Sequence, residues 1–146
     1  MRMFLEVLNR KFPDVPTQLP TRSTSQSAGY DFFSKEDAVI EPGQTHLFWT
    51  DIRAIMEPND VLLIYTRSGN GCKRGIILRN GTGVIDADYS LNPNNQIGIM
   101  LYNTGDQPFE VKVGDRIAQG IFMNYLITSN DTTDVVRDGG FGSSGR

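Results

Sequence analysis

The sequence predicts an all-β domain of the sandwich, jelly-roll or barrel class, and three observations predict it. Short stretches rich in β-branched and aromatic residues recur along the chain, turn-forming pairs separate them, and no long segment carries the 3.6-residue apolar period of an amphipathic helix. The stretches are, in order, MFLEVL at 3–8, THLFWT at 45–50, VLLIYT at 61–66, IGIMLYN at 97–103, FEVKV at 109–113 and RIAQGIFMNYLIT at 116–128. Punctuation falls at Pro42-Gly43, Pro58-Asn59, Asn80-Gly81, Thr104-Gly105-Asp106 and Val113-Gly114-Asp115. One short helical turn fits at residues 68–74, a Gly-flanked polar stretch between two strands. TQLPTRSTSQSAGYD at 17–31 and SLNPNNQ at 90–96 read as polar loops, and no repeat or internal boundary divides the chain.

With 146 residues the chain makes one domain, large enough for a core of its own. A formal charge of -3 argues against a protein that grips long nucleic acid, since that mode neutralises many phosphates; a small phosphate ligand needs only a few local cations. The single cysteine, Cys72, excludes an internal disulfide and a cysteine-rich zinc cluster. The longest apolar runs, such as VLLIY at 61–65, are too short to span a membrane, and the N-terminus lacks a secretory apolar region. The expectation is a soluble cytoplasmic protein without nucleic-acid or membrane partners.

Five patches carry chemically useful residues. In GTGVIDADYS at 81–90, Asp86 and Asp88 share a face if the segment is a strand, with Tyr89 opposite, and splay if it is a turn. A carboxylate at a strand end can polarise water; read alone, the stretch is equally hairpin chemistry, and local sequence favours that. YTRSGNGCKRG at 65–75 sets Arg67, Ser68 and Gly69 at a strand end, where backbone amides and a cation suit phosphate oxygens, though an ordinary Ser/Gly loop explains it as well. VGDRIAQGIF at 113–122 places Gln119 in a row with Ile117 and Ile121, a polar interruption of an apolar face. SAGYDFFS at 27–34 puts Asp31 among small residues and aromatics. RDGGFGSSGR at 137–146 combines four glycines with Arg137 and Phe141, which reads as a frayed end or as a lid that orders over a ligand. The only histidine, His46, has no neighbours in sequence that suggest a triad or metal set and is taken as structural.

Singly these patches are weak, but AGYD, RSG, GVIDADY, GDRIAQ and RDGGFGSSG in that order closely resemble the five motifs of the trimeric dUTPase family. The resemblance implies a β jelly roll, a distorted barrel, that forms a homotrimer with exchanged C-terminal segments and three sites at subunit junctions. Residues 1–136 would form the jelly roll and residues 137–146 a flexible lid belonging to the same domain. It implies hydrolysis of dUTP to dUMP and pyrophosphate, which limits uracil in DNA and supplies dUMP for dTMP synthesis. Asp86 matches the catalytic base. Tyr89 matches the ring against the deoxyribose that rejects ribonucleotides. Asn80, Gly83, Val84 and Ile85 match the hairpin that reads uracil. Arg67, Ser68, Gly69 and Gln119 match phosphate contacts, and Asp31 matches the residue that holds a water on Mg²⁺. Arg137, Phe141, Gly142, Ser143 and Ser144 match the tail that closes over a neighbouring site, with Arg137 at the γ-phosphate and Phe141 on the base.

Two departures from the family pattern stand out. After the tyrosine the family usually runs Arg-Gly straight into the next strand, where this chain has SLNPNNQ, a candidate surface for a protein partner; and Thr66 precedes Arg67 where proline is common. A dCTP deaminase-like relative is the first rival, but it lacks the Gly-rich tail and works through a glutamate, of which none lies close to Asp86 in sequence. A β-sandwich with a regulatory or protein-binding role is the second, opposed by the retained Asp86, Tyr89 and Phe141.

Overall fold

A computed structural model of the chain describes residues 1–142. The strands are β1 (Met3–Glu6), β2 (Tyr30–Phe33), β3 (Ala38–Ile40), β4 (Thr45–Trp49), β5 (Ile52–Ile55), β6 (Asp60–Tyr65), β7 (Ile76–Leu78), β8 (Gly83–Asp86), β9 (Gly98–Asn103), β10 (Phe109–Val111) and β11 (Arg116–Asn124). Among the described residues one α-helix, α1 (Ser68–Arg74), lies where the Gly-flanked stretch predicted a helical turn, and a 3-10 turn covers Tyr89–Leu91. All pairings are antiparallel. They form a four-stranded sheet in the order β2-β11-β6-β8, a three-stranded sheet β4-β9-β7, and two ribbons, β1-β5 and β3-β10. The all-β expectation holds.

Period-two burial explains the layering. In β6, Asp60, Leu62 and Ile64 point inward, and in β9, Ile99, Leu101 and Asn103 do so, which closes a core between the two larger sheets around Phe32, Phe48 and Leu62. Asn103 is fully buried, yet its amide donates to the carbonyls of Ile40 (2.8 Å) and Gln107 (2.7 Å), and its oxygen accepts the Gly105 N–H (2.9 Å). One side chain thereby ties β9, β3 and the Thr104-Gly105-Asp106 turn together, with all its polar atoms satisfied. Gly105 is required there, because a Cβ would stand 2.5 Å from the Arg74 carbonyl.

A second polar hub holds the N-terminal loop. Asp51 is fully buried and sits at φ 59° between β4 and β5, a left-handed position that Asp tolerates better than most residues. Its carboxylate accepts the N–H groups of Lys11 (2.6 Å) and Phe12 (3.0 Å) and pairs with the buried Lys35 ammonium at 3.2 Å, which also donates to Thr17. The 17–31 loop expected from sequence is therefore irregular but anchored.

Several strand limits differ from the sequence expectation. RIAQGIFMNYLIT stops at Asn124, and Leu126 beyond it is 96% exposed, because no strand among the described residues offers it a partner. FEVKV stops at Val111, where Asp115 accepts the Lys112 N–H and closes the Gly114 turn. Strands β3, β5 and β7, though rich in Val and Ile, are only three or four residues each, too short to be read as strands from their own stretches. Replacing Asp51 by Asn keeps the left-handed preference and the shape but strands the Lys35 charge. The expected loss is about 3 kcal/mol in urea unfolding, and Lys35→Met in the same chain should recover much of it.

Candidate active site

Strand β8 ends at Asp86, and the chain turns through Ala87 and Asp88 before Tyr89 opens the 3-10 turn. The two carboxylates therefore do not share a strand face; the turn aims both at one cation. Arg137, from the C-terminal tail, donates through Nη2 to Asp86 Oδ2 (2.5 Å) and through Nε to Asp88 Oδ1 (2.7 Å). Its guanidinium carbon lies 5.9 Å from the centre of the Tyr89 ring. The hydrogen bond to Asp88, then the charges of Asp88 and Asp86, push the Arg137 pKa up against the cost of burial, so it stays a cation. Burial pushes the Tyr89 phenol up and Arg137 partly opposes it. Tyr89 itself is buried, with its hydroxyl donating to the Gln96 carbonyl at 2.7 Å.

The hairpin before β8 forms one wall of the same hollow. Gly81 at φ 78° makes the turn after Asn80, and Gly83 crosses β6 so closely that a Cβ would meet Ile64 at 2.9 Å. Val84 points to solvent and Ile85 packs on the core. Asn80, Gly83, Ile85, Asp86 and Tyr89 face Arg137 and Phe141 across a cavity of about 260 Å³. Phe141 and Trp49 meet edge to face, with ring centres 5.2 Å apart. Within the described residues, the tail thus lies over its own chain's Asp86. Gly142 lines the cavity, whereas Ser143 and Ser144 lie outside the described residues.

The remaining candidates gather at the Tyr65 end of β6, away from Asp86, which pairs with Val61 at the other end. Asp31, Gln119 and Tyr65 sit side by side on β2, β11 and β6. Asp31 is 5% exposed, paired with Arg67 at 3.0 Å and with Arg116 at 3.6 Å, and receives the Ser23 hydroxyl at 2.9 Å. Ser68 and Gly69 form the exposed first turn of α1, whose N-terminus no side chain caps, so its first amides face outward. Gln119 Nε2 donates to the Thr66 carbonyl at 3.2 Å, and its amide fills the space beside Gly29, where a Cβ would stand 2.2 Å from Oε1.

The expectation that Gln119 interrupts an apolar row with Ile117 and Ile121 fails. A bulge between Arg116 and Ala118 leaves Ile117 as an extra residue and shifts the alternation, so Ala118 and Gly120 take the core face and Gln119 the opposite one. Sequence reasoning also missed three residues of the site. Trp49, the only tryptophan, and Asn95 and Gln96 from the polar 90–96 stretch all border Tyr89 and Phe141. That stretch is folded back onto the body: Ser90 is buried and accepts the Ala54 N–H, Asn94 accepts the Asn9 N–H, and Gln96 accepts the Asp51 N–H. Leu91 and Asn92 form its exposed tip.

His46 contacts Glu36 at 2.5 Å and packs on Phe48, away from both clusters in the fold. Among the described residues no helix is long and apolar enough to cross a membrane.

Comparison with known proteins places this arrangement. The dUTPase family model matches residues 16–145. The deoxyuridine 5'-triphosphate nucleotidohydrolase of Lactococcus lactis is 38% identical over 139 residues, covering 92% of this chain and 93% of the relative. That of Haemophilus ducreyi is 41% identical over 147 residues, covering 95% and 91%. The dUTPase crystal structure from Streptococcus mutans superposes with a TM-score of 0.74 at 36% identity, over 86% of this chain and 97% of that one. A mutant dUTPase from phage phi11 of S. aureus, described with a structural Mg(II) ion, shares the fold with a TM-score of 0.74 at 20% identity, over 94% and 99%.

Because Arg137 holds the Tyr89 pKa down, Arg137→Ala should raise it further. Titration of phenolate absorbance, with Tyr89→Phe to assign the signal among the five tyrosines, checks this; a downward shift would contradict the geometry.

Proposed function

The chain belongs to the dUTPase family, enzymes that hydrolyse dUTP, and we propose for it a site shared between copies of the chain in which Asp86 activates the attacking water. The observation that carries the reading is the separation of Asp86 from the candidate phosphate contacts along β6. Asp86 stands beside Val61, whereas Gln119 stands beside Tyr65, with Arg67 further on. Four residues of extended chain separate those positions by about 13 Å. A triphosphate whose α-phosphorus sits at Asp86 therefore draws its phosphate contacts from Arg67, Ser68, Gly69 and Gln119 of another copy.

A homotrimer fits the uncovered apolar residues between β11 and the tail, and exchange of C-terminal segments would give each copy's Asp86, Asp88, Asn95 and Trp49 a neighbour's tail in place of the same-chain contacts seen in the single copy. Leu126, Ile127, Val135 and Val136 are 96%, 69%, 83% and 76% exposed in the single chain, a surface that a neighbouring copy would cover. The jelly roll of residues 1–136 then presents residues 137–146 as a lid. A cytoplasmic location accords with the single unpaired cysteine.

Each residue has a chemical task in this reading. Asp86 is exposed at the cavity mouth and takes the proton of a water that attacks the α-phosphorus in line, with pyrophosphate leaving. Asn80 and the backbone of Gly83, Val84 and Ile85 pair the uracil edge, so cytosine leaves polar groups unpaired. Tyr89, held rigid by the Gln96 carbonyl, closes the space a 2′-hydroxyl would need. Arg137 exchanges its two carboxylates for the γ-phosphate, while Phe141 covers the base and Gly142, Ser143 and Ser144 wrap the phosphates. Closure of this lid excludes water other than the nucleophile.

Magnesium suits this donor set only as an ion carried in on the nucleotide. Asp31 is already balanced by Arg67 and Arg116, and among the described residues no three acidic, His or Cys side chains converge. In this reading Asp31 would hold a water on the ion and not bind it directly, in keeping with magnesium's tendency to retain water and bind phosphates. When bound, Mg²⁺ offsets charge on the triphosphate.

Purified protein with Mg²⁺ should release pyrophosphate from dUTP and far less from dTTP, dCTP or UTP, with no ammonia; equal rates across the four would sink the assignment. Asp86→Asn should lower kcat roughly 10²- to 10⁴-fold with nucleotide binding retained, the range expected for loss of a general base. Truncation after Val136 should lower kcat sharply without changing the oligomer seen in sedimentation.

A further inference from the structure

We propose that residues 91–96, together with Trp49, form the platform on which the C-terminal tail docks, and that Asn95 is a positioning residue linking tail docking to the placement of Tyr89. The inference rests on the lid reading of the tail and assigns the surface that receives it.

Three kinds of contact converge on this platform. The first is polar. The two hydrogens of the Asn95 amide go to two carbonyls, that of Tyr89 at 2.9 Å and that of Gly139 in the tail at 3.4 Å. One amide therefore holds both the residue against the sugar and the segment that closes above it. The second is steric. A Cβ on Gly140 would lie 2.9 Å from Asn95 Oδ1, so the tail comes this close only because position 140 has no side chain. The third is aromatic. Trp49 packs against Gly98, where a Cβ would meet its ring at 2.8 Å, and makes a T-shaped contact with Phe141.

The platform is itself fixed. The side-chain oxygen of Gln96 accepts the N–H of buried Asp51 at 2.7 Å, while its carbonyl takes the Tyr89 hydroxyl. Tyr89 is thus clamped at its backbone by Asn95 and at its ring by Gln96, and the clamp is anchored through Asp51 to Lys35 and the N-terminal loop. A two-residue connection between Tyr89 and β9 would lack the position that Asn95 occupies between Tyr89 and the tail. The longer 90–96 segment therefore supplies a contact with the lid, not only extra surface.

The individual contacts are weak, one neutral hydrogen bond contributing about 0.5–1.5 kcal/mol and an aromatic edge contact a similar amount. Docking on this platform is accordingly reversible, as a lid that must release product requires.

The test is a double-mutant cycle between Asn95→Ala and Gly140→Ala in the full-length protein, read by emission of the single tryptophan and by dUTP turnover. Protein truncated after Val136 gives the emission of the undocked tail. Each single variant should move the emission toward that of the truncated protein and lower kcat/KM roughly 2- to 10-fold, the factor one neutral hydrogen bond supplies. The double variant should be no worse than Asn95→Ala, because removing the amide removes the obstacle to the added methyl. Asn95→Ala alone should also raise UTP turnover relative to dUTP, since it frees the Tyr89 carbonyl. Gly140→Ala lies in the tail and leaves the body intact, so the cycle stands even if Asn95→Ala is less stable. Strictly additive losses, or Asn95→Ala with unchanged emission and rate, overturn the proposal. Emission that responds to Asn95 in an enzyme whose turnover is indifferent to truncation supports the platform and overturns the lid reading instead.

Discussion

Strand β6 has hydrogen-bonded neighbours on both edges, and its register decides where every chemical group of the molecule can stand. Pairing of Val61 with Asp86 on one side and of Tyr65 with Gln119 on the other sets these two residues at opposite ends of one strand, while Gly83 and Gly120 meet across Ile64. A one-residue slip on either side would turn Ile85 or Gly120 away from the core and unseat Asp86 or Gln119. Gly83 and Gly120 show how tightly this is held, since a Cβ at either would strike Ile64 or Phe32. A single copy thus keeps Asp86 apart from Gln119 and Arg67, which is the constraint the proposed shared site answers.

Around that strand, irregular segments are held by a few saturated polar hubs. Asn103, Asp51 and Asp60 are almost wholly buried, and each satisfies several partners; Asp60 receives Arg2 in a fork at 2.6 and 2.9 Å and Asn124 at 2.8 Å. Such hubs do what short strands cannot. β3, β5, β7 and β10 contribute three or four residues each, too few to set the course of long loops. Carboxylates and amides at loop roots set it instead, at the cost of making those positions intolerant of change.

Much of this was legible in the sequence because it depends on local pattern. The alternation in β6 and β9, the Gly-flanked α1 and the five motif positions are all visible in contiguous residues. The bulge at Arg116–Ala118 was not, because it arises from how β11 meets β2 and reverses the face of Gln119 without any mark in its own stretch. The joint aim of Asp86 and Asp88 at Arg137 links residues some fifty positions apart, a relation that spacing within GVIDADY cannot carry. Asn95 and Trp49 went unnoticed for a similar reason: one looked like loop and the other like core until the tail lay between them.

The pairing of one arginine with two acids also sets the sign of the field at the cavity mouth. Asp86 and Asp88 together carry two negative charges, and Arg137 returns one of them. Without that counter-charge an approaching polyanion meets two negative charges; with it the mouth carries a net of one. In the proposed reading the tail therefore lessens the repulsion of the ligand as well as enclosing it. Because such long-range forces are screened over about 10 Å at 0.1 M salt, ionic strength would act on capture through the tail before it acts on the chemistry behind it.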